Sequence, residues 1–93
     1  MDKIELRKGD SPTLTYVRVG RLNFAFSYET IVAFATPEDG WVISENVWSQ
    51  TTGKHLNEIP GGRDKSRRVP HAEFTRKLEA VMDRLPIKVP ADV

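Results

Sequence analysis

Arg21-Leu22-Asn23-Phe24-Ala25-Phe26-Ser27-Tyr28 carries the pattern that decides the fold: Leu22, Phe24, Phe26 and Tyr28 alternate with Arg21, Asn23, Ala25 and Ser27. Successive side chains of an extended strand point to opposite faces, so this alternation predicts a strand with one face buried. Upstream, Thr13–Val19 (TLTYVRV) is rich in β-branched and aromatic residues and joins the first strand through Gly20. Downstream, Thr30–Thr36 (TIVAFAT) is more continuously apolar and suits a central place in a sheet. Pro37-Glu38-Asp39-Gly40 is a turn, because proline presets φ and glycine permits the left-handed position. Trp41–Ser44 (WVIS) then returns as a further strand. Short connections in a row predict an antiparallel meander of three or four strands over about residues 13–46. Lys8-Gly9-Asp10-Ser11-Pro12 is turn-rich and sets off residues 1–11 as a lead segment.

After Asn46 the period changes. Ser49, Thr51 and Thr52 are candidate helix caps, and a short helix over about residues 51–59 would bury Leu56 and Ile59 before Pro60-Gly61-Gly62 stops it. Pro70 suits the first turn of a second helix over about residues 70–85. Phe74, Leu78, Val81, Met82 and Leu85 fall on one face of that helix, and Pro86 ends it ahead of an extended tail, residues 86–93. A meander with one apolar face needs a cover, so the fold class is α+β, with this amphipathic helix packed on one sheet face over Leu22, Phe24 and Phe26. Among the other aromatics, Trp48 is expected in the core and Tyr16 at the surface.

The chain has 93 residues, no cysteine, and 14 Lys+Arg against 13 Asp+Glu. One domain fits that length, spanning residues 1–93. The missing thiols exclude disulfides, zinc–thiolate sites, iron–sulfur clusters and a cysteine nucleophile. The near-neutral total excludes a strongly basic nucleic-acid coat but conceals a polarity. Residues 1–46 hold 5 basic and 7 acidic side chains, and residues 47–93 hold 9 and 6. Much of that excess is Arg63, Lys65, Arg67 and Arg68 in one polar loop, GGRDKSRR. No apolar run approaches the ~20 residues of a membrane helix, and the charged N-terminus lacks a signal-peptide core, so a cytoplasmic protein that does not enter membranes is expected.

The candidate binding residues are Ser49, Thr51, Thr52, Lys54 and His55 at the start of the first helix, together with Arg63, Lys65, Arg67 and Arg68. A helix start offers unpaired N–H groups and a positive dipole end to an anion, and the cations add charge. Alternatively, Ser49 to Thr52 cap the helix and nothing more, and the arginines lie on a solvated loop. Gly53-Lys54 is followed by His55, with no glycine five residues before Gly53, so a phosphate loop of the GxxxxGK[ST] kind is rejected. His55 and Glu58 share i, i+3 spacing, but that pairing alone makes no metal site. No nucleophile elbow accompanies His55. The expectation is therefore no catalytic residue, no metal and no cofactor.

The run Phe24-Ala25-Phe26-Ser27-Tyr28-Glu29-Thr30-Ile31-Val32-Ala33-Phe34, followed by Ser44-Glu45-Asn46-Val47-Trp48-Ser49-Gln50-Thr51-Thr52-Gly53-Lys54-His55-Leu56-Asn57, resembles a group of small phage and prophage proteins of unknown function. These carry an F-x-Y-x-T-x-[VI]-A strand and then an S-x-T-T-x-K-H motif. The likeness spans roughly residues 22–59, with a weaker echo in the C-terminal helix. It implies a setting in the cytoplasm of an infected host, and an accessory protein that binds a host or viral protein complex. A host-defence inhibitor such as an anti-CRISPR is one form of this. The alternative is a nucleic-acid or nucleotide/phosphate-binding protein that uses residues 49–55 and the basic loop 63–68. A homodimer through an exposed edge strand also stays open.

Overall fold

A computed structural model describes residues 4–9 and 11–85. The expected tail 86–93, with the proline stop at its head, lies outside the described residues, as do positions 1–3 and 10 of the lead segment.

Five strands, β1 (Ile4–Lys8), β2 (Leu14–Val19), β3 (Leu22–Ser27), β4 (Thr30–Thr36) and β5 (Gly40–Ile43), form one antiparallel sheet in the order β1-β2-β3-β4-β5. Two helices follow, α1 (Gln50–Glu58) and α2 (His71–Met82). The expected α+β meander is present, with one strand more than the three or four anticipated. β1 lies within the stretch read as a lead segment. Its Ile4 and Leu6 alternate with Glu5 and Arg7, which is a strand pattern too short to stand alone; pairing with β2 from Ile4↔Val19 to Lys8↔Thr15 secures it.

The alternation in β3 separates two buried faces, which the one-face reading did not anticipate. On the first, α2 packs Phe74 and Val81 onto Leu22, Phe24 and Phe34, with Phe26, Leu78 and Leu85 at the margin. The Phe34 and Phe74 rings sit 5.5 Å apart in a tilted pair. On the second face, α1 lays Leu56 and Ile59 on Leu14, Tyr16, Ala25, Val32, Ala33 and Ile43. Ala25 and Ser27 fall at the positions read as outward, yet both are buried. They are small because a helix covers them. Large side chains on one face and small ones on the other let the two helices pack on opposite sides of a single sheet.

A β-bulge adjusts this packing. Ala25 pairs with Ala33 and Phe26 with Ile31, so β4 carries one extra residue, Val32, and both Val32 and Ala33 join the α1-side core. Tyr16 is likewise buried, where a surface position was expected, with its ring 5.8 Å from Trp41 in an edge-on contact. Trp48 is half-buried against the same cluster. Tyr28 ends the alternation at the β3–β4 turn and is 57% exposed, with φ at 56°. A left-handed non-glycine residue is unfavourable, and here its backbone N–H is held by the Thr13 carbonyl at 2.8 Å.

Candidate functional site

α1 begins at an observed cap. Ser49 Oγ accepts from the Thr52 backbone N–H at 3.2 Å, relieving one of the four unpaired donors of the first turn. From there the helix presents two stripes. Thr52, His55, Leu56 and Ile59 face the sheet, at positions i, i+3, i+4 and i+7. Gln50, Lys54 and Asn57 recur with the same period on the opposite side.

The inner stripe holds a polar network. His55 is 2% exposed. Its Nδ1 lies 2.6 Å from Ser27 Oγ and its Nε2 2.9 Å from Thr13 Oγ1. Ser27 Oγ also meets Thr52 Oγ1 at 3.0 Å, and Ser49 Oγ donates to Thr52 Oγ1 at 3.4 Å. The Tyr28 ring, 5.7 Å from the imidazole, closes one side. One ring nitrogen of a neutral imidazole donates and the other accepts, and hydroxyls supply either role, so each group in the chain has a partner. No buried side-chain nitrogen or oxygen among the described residues lacks a hydrogen-bond partner. The serine–histidine pair is thus a sealed structural contact. Ser27 is 2% exposed, and a substrate carbonyl has no route to its Oγ. Glu58, spaced to share a ligand with His55, turns to Ser11 instead, accepting from its N–H at 3.3 Å and its hydroxyl at 2.5 Å.

The outer stripe lines an open groove of about 620 Å³ that reaches from α1 to the loop after it. Gln50, Gly53, Lys54 and Asn57 form the helix wall and Lys65 and Arg68 the loop wall, and Glu45 and Asn46 complete the lining. Arg68 ties the walls together: Nη2 donates to Asn57 Oδ1 at 2.9 Å and to the Gly62 carbonyl at 2.8 Å, and Nε donates to the same carbonyl at 3.2 Å. Gly62 itself makes the sharp exit from α1. Its N–H donates to Ile59 O at 2.7 Å, and a Cβ there would sit 1.7 Å from the Leu56 carbonyl oxygen. Only glycine fits. The loop is further shaped by a single 3-10 turn, Lys65–Arg67, capped by Asp64. Hydrogen bonds from the Ser66 hydroxyl and N–H, with nearby Arg67, hold the Asp64 carboxyl below its ordinary 3.8.

The other end of the loop returns to the sheet. Val69 forms a parallel bridge with Ser44, donating to Ile43 O and accepting from Glu45 N–H, both at 2.8 Å. Glu45 then accepts the His71 N–H at 3.1 Å, providing α2 with the cap that Pro70 cannot. The loop that forms the second wall is therefore anchored through backbone at both ends.

The nine residues singled out from the sequence divide into separate roles. Lys54, Lys65 and Arg68 come together in the groove. Thr52 and His55 turn inward and are buried, and Ser49 caps. Thr51 is exposed outside the groove lining, as are Arg63 and Arg67; the Arg67 guanidinium lies close over Gly61. Gln50, Asn57, Glu45 and Asn46 are groove residues that sequence reasoning passed over. The period of Gln50, Lys54 and Asn57 was a usable signal for the helix wall. Ser27 as partner of His55 had none, since 28 positions separate the two. Among the described residues, no three potential metal ligands group together, and no helix is long and apolar enough to cross a membrane.

Residues 4–76 match the profile of a family of unknown function, DUF8033. No curated protein and no solved structure matches the chain.

Proposed function

We propose, for a chain that belongs to this family of unknown function, a non-enzymatic binding role in which the groove between α1 and the loop 61–68 engages an acidic segment of a partner protein. The observation that carries this reading is the convergence of Lys54, Lys65 and Arg68 on one concave surface. Arg68 is already ordered by Asn57 and Gly62, so less freedom is lost when a ligand arrives. Gln50 and Asn57 add neutral donors and acceptors to the lining. The likeness to small phage proteins supplies the setting: an accessory protein in host cytoplasm that binds a host or viral complex, with inhibition of a host defence as its most specific form. The buried Ser27–His55 contact supports binding over catalysis, because this hydroxyl–imidazole pair is closed to substrate, and Ser44, whose Oγ lies 3.1 Å from His71 Nδ1, is fully buried as well.

A second reading rests on Arg63 and Arg67, which are exposed beside the groove and would extend its charge along a nucleic-acid backbone. One capture experiment separates the two. Tagged protein is incubated with bacterial lysate, with and without nuclease, beside a Lys54→Glu/Lys65→Glu variant and a control reversed at the exposed Arg76 and Lys77 of α2. The groove reading expects a captured protein that survives nuclease, is lost in the groove variant and is kept by the control. Loss on nuclease treatment, with steep weakening by salt, transfers the case to nucleic acid. Equal capture by the groove variant and wild type overturns the groove reading.

A further inference from the structure

β1 is the edge strand of the sheet, and its five residues pair with β2 alone among the described strands. All five are exposed, Ile4 by 57% and Leu6 by 70%. Two apolar side chains standing in water on an open edge are unusual, since such edges invite pairing with another chain. The backbone phase of this edge can be read. Gly9 N–H donates to Leu14 O at 2.8 Å, so Gly9 faces β2. Main-chain groups alternate along an antiparallel strand; Glu5 and Arg7 therefore also direct their N–H and C=O toward β2. Those of Ile4, Leu6 and Lys8 point away from the sheet.

We propose that the chain forms a two-fold dimer by antiparallel pairing of β1 with β1 of a second copy, centred on Leu6. In that register Leu6 meets its own counterpart in a hydrogen-bonded pair, and Ile4 and Lys8 exchange hydrogen bonds with the partner's Lys8 and Ile4, about six main-chain bonds in all. Glu5 falls opposite the partner's Arg7, and Arg7 opposite the partner's Glu5. These are non-hydrogen-bonded positions, where facing side chains approach most closely, and both pairs join opposite charges. The complementarity is specific to this register. Centring on Glu5 or Arg7 would oppose like charges. On the α2 side of the sheet, Leu6 lies opposite Val17, so the two copies join Val17, Leu6 and their counterparts in one apolar strip. On the other side, Arg7 is already held 4.8 Å above the Tyr16 ring, which restricts it to the face where Glu5 of the second copy would meet it.

Sedimentation velocity over roughly 1–300 µM tests the dimer, the upper limit being suited to an interface of less than standard size. Wild type should shift from the 10.6 kDa monomer to twice that mass. Glu5→Arg should raise the dissociation constant at least about tenfold, and Glu5→Arg/Arg7→Glu should restore it. Leu6→Pro removes an outward N–H without touching the β1–β2 ladder, and should give a monomer with an unchanged far-ultraviolet circular dichroism spectrum. A wild type that stays monomeric across the range overturns the proposal. So does a dimer indifferent to Glu5→Arg and Leu6→Pro, or a double swap that fails to recover dimerisation while remaining folded.

Discussion

Truncating His55 to alanine should cost stability, and the cost can be worked from its contacts. Two hydrogen bonds are lost, to Ser27 at 2.6 Å and to Thr13 at 2.9 Å. Each contributes about 1 kcal/mol net. The imidazole also leaves a cavity between α1 and the sheet, at a site 2% exposed, and loss of a buried side chain of this size costs about 2 kcal/mol. Ser27 keeps Thr52 as a partner at 3.0 Å, and Thr13 is only partly buried and open to water, so no fully orphaned buried hydroxyl is added to the sum. The total is about 4 kcal/mol, a large share of the ~5–15 kcal/mol typical of a domain. Urea denaturation of wild type, His55→Ala and Lys54→Ala measures it. Lys54 is the next residue along the helix but exposed, and its variant should fall within about 0.5 kcal/mol of wild type. A His55→Ala protein less than about 1 kcal/mol from wild type would refute the anchoring role. If that variant instead lost partner capture at full stability, His55 would be a binding residue, as its place in the sequence motif suggested.

Further expectations concern the loop and the α1 face. Gly62→Ala forces a Cβ into the Leu56 carbonyl at 1.7 Å and should destabilise by about 3 kcal/mol or more, read as a collapse of the thermal transition; a melting point near wild type would show that the exit from α1 is not constrained there. Ala25→Leu should cost about 1–3 kcal/mol by pushing α1 off the sheet, although the substitution adds apolar area; a neutral or stabilised variant in the same urea assay would contradict the close packing on that face. Asp64 titrates below its ordinary 3.8, so its cap is intact above that value and is lost as pH falls through the lowered native pKa. The Ser66 amide resonance, followed by NMR from neutral pH downward, should move only in that acidic window; movement centred at or above the ordinary aspartate value would show that the cap does not form.

Local patterns in the sequence were enough to place most elements. The alternation in β3, the Pro37–Gly40 turn, the Ser49 cap and the α2 stripe each rest on interactions within about one turn or hairpin, and each lies where those rules put it. Pro70 and Ser49 marked helix starts through backbone chemistry that does not depend on the rest of the chain. β1 escaped notice because a five-residue strand has little pattern of its own, and the turn-rich residues after it were read as its boundary. The basic loop was visible as composition.

Residue types showed that His55, Thr52 and Lys54 carry polar or charged groups near a helix start, but not which of them faces the sheet. That depended on Ala25 and Ser27 of β3 being small, which let α1 settle on a face that the alternation alone marked as exposed. Once it settled there, His55 was committed to Ser27 and Thr13, and Lys54 was turned toward Lys65 and Arg68. Those contacts join positions 11 to 42 residues apart, so no local period encodes them. The sequence by itself determined the strands, the helices and the stock of charges. Only the tertiary structure decided which polar groups became buried supports and which became an open groove, because that choice is made by the packing of α1 on the sheet.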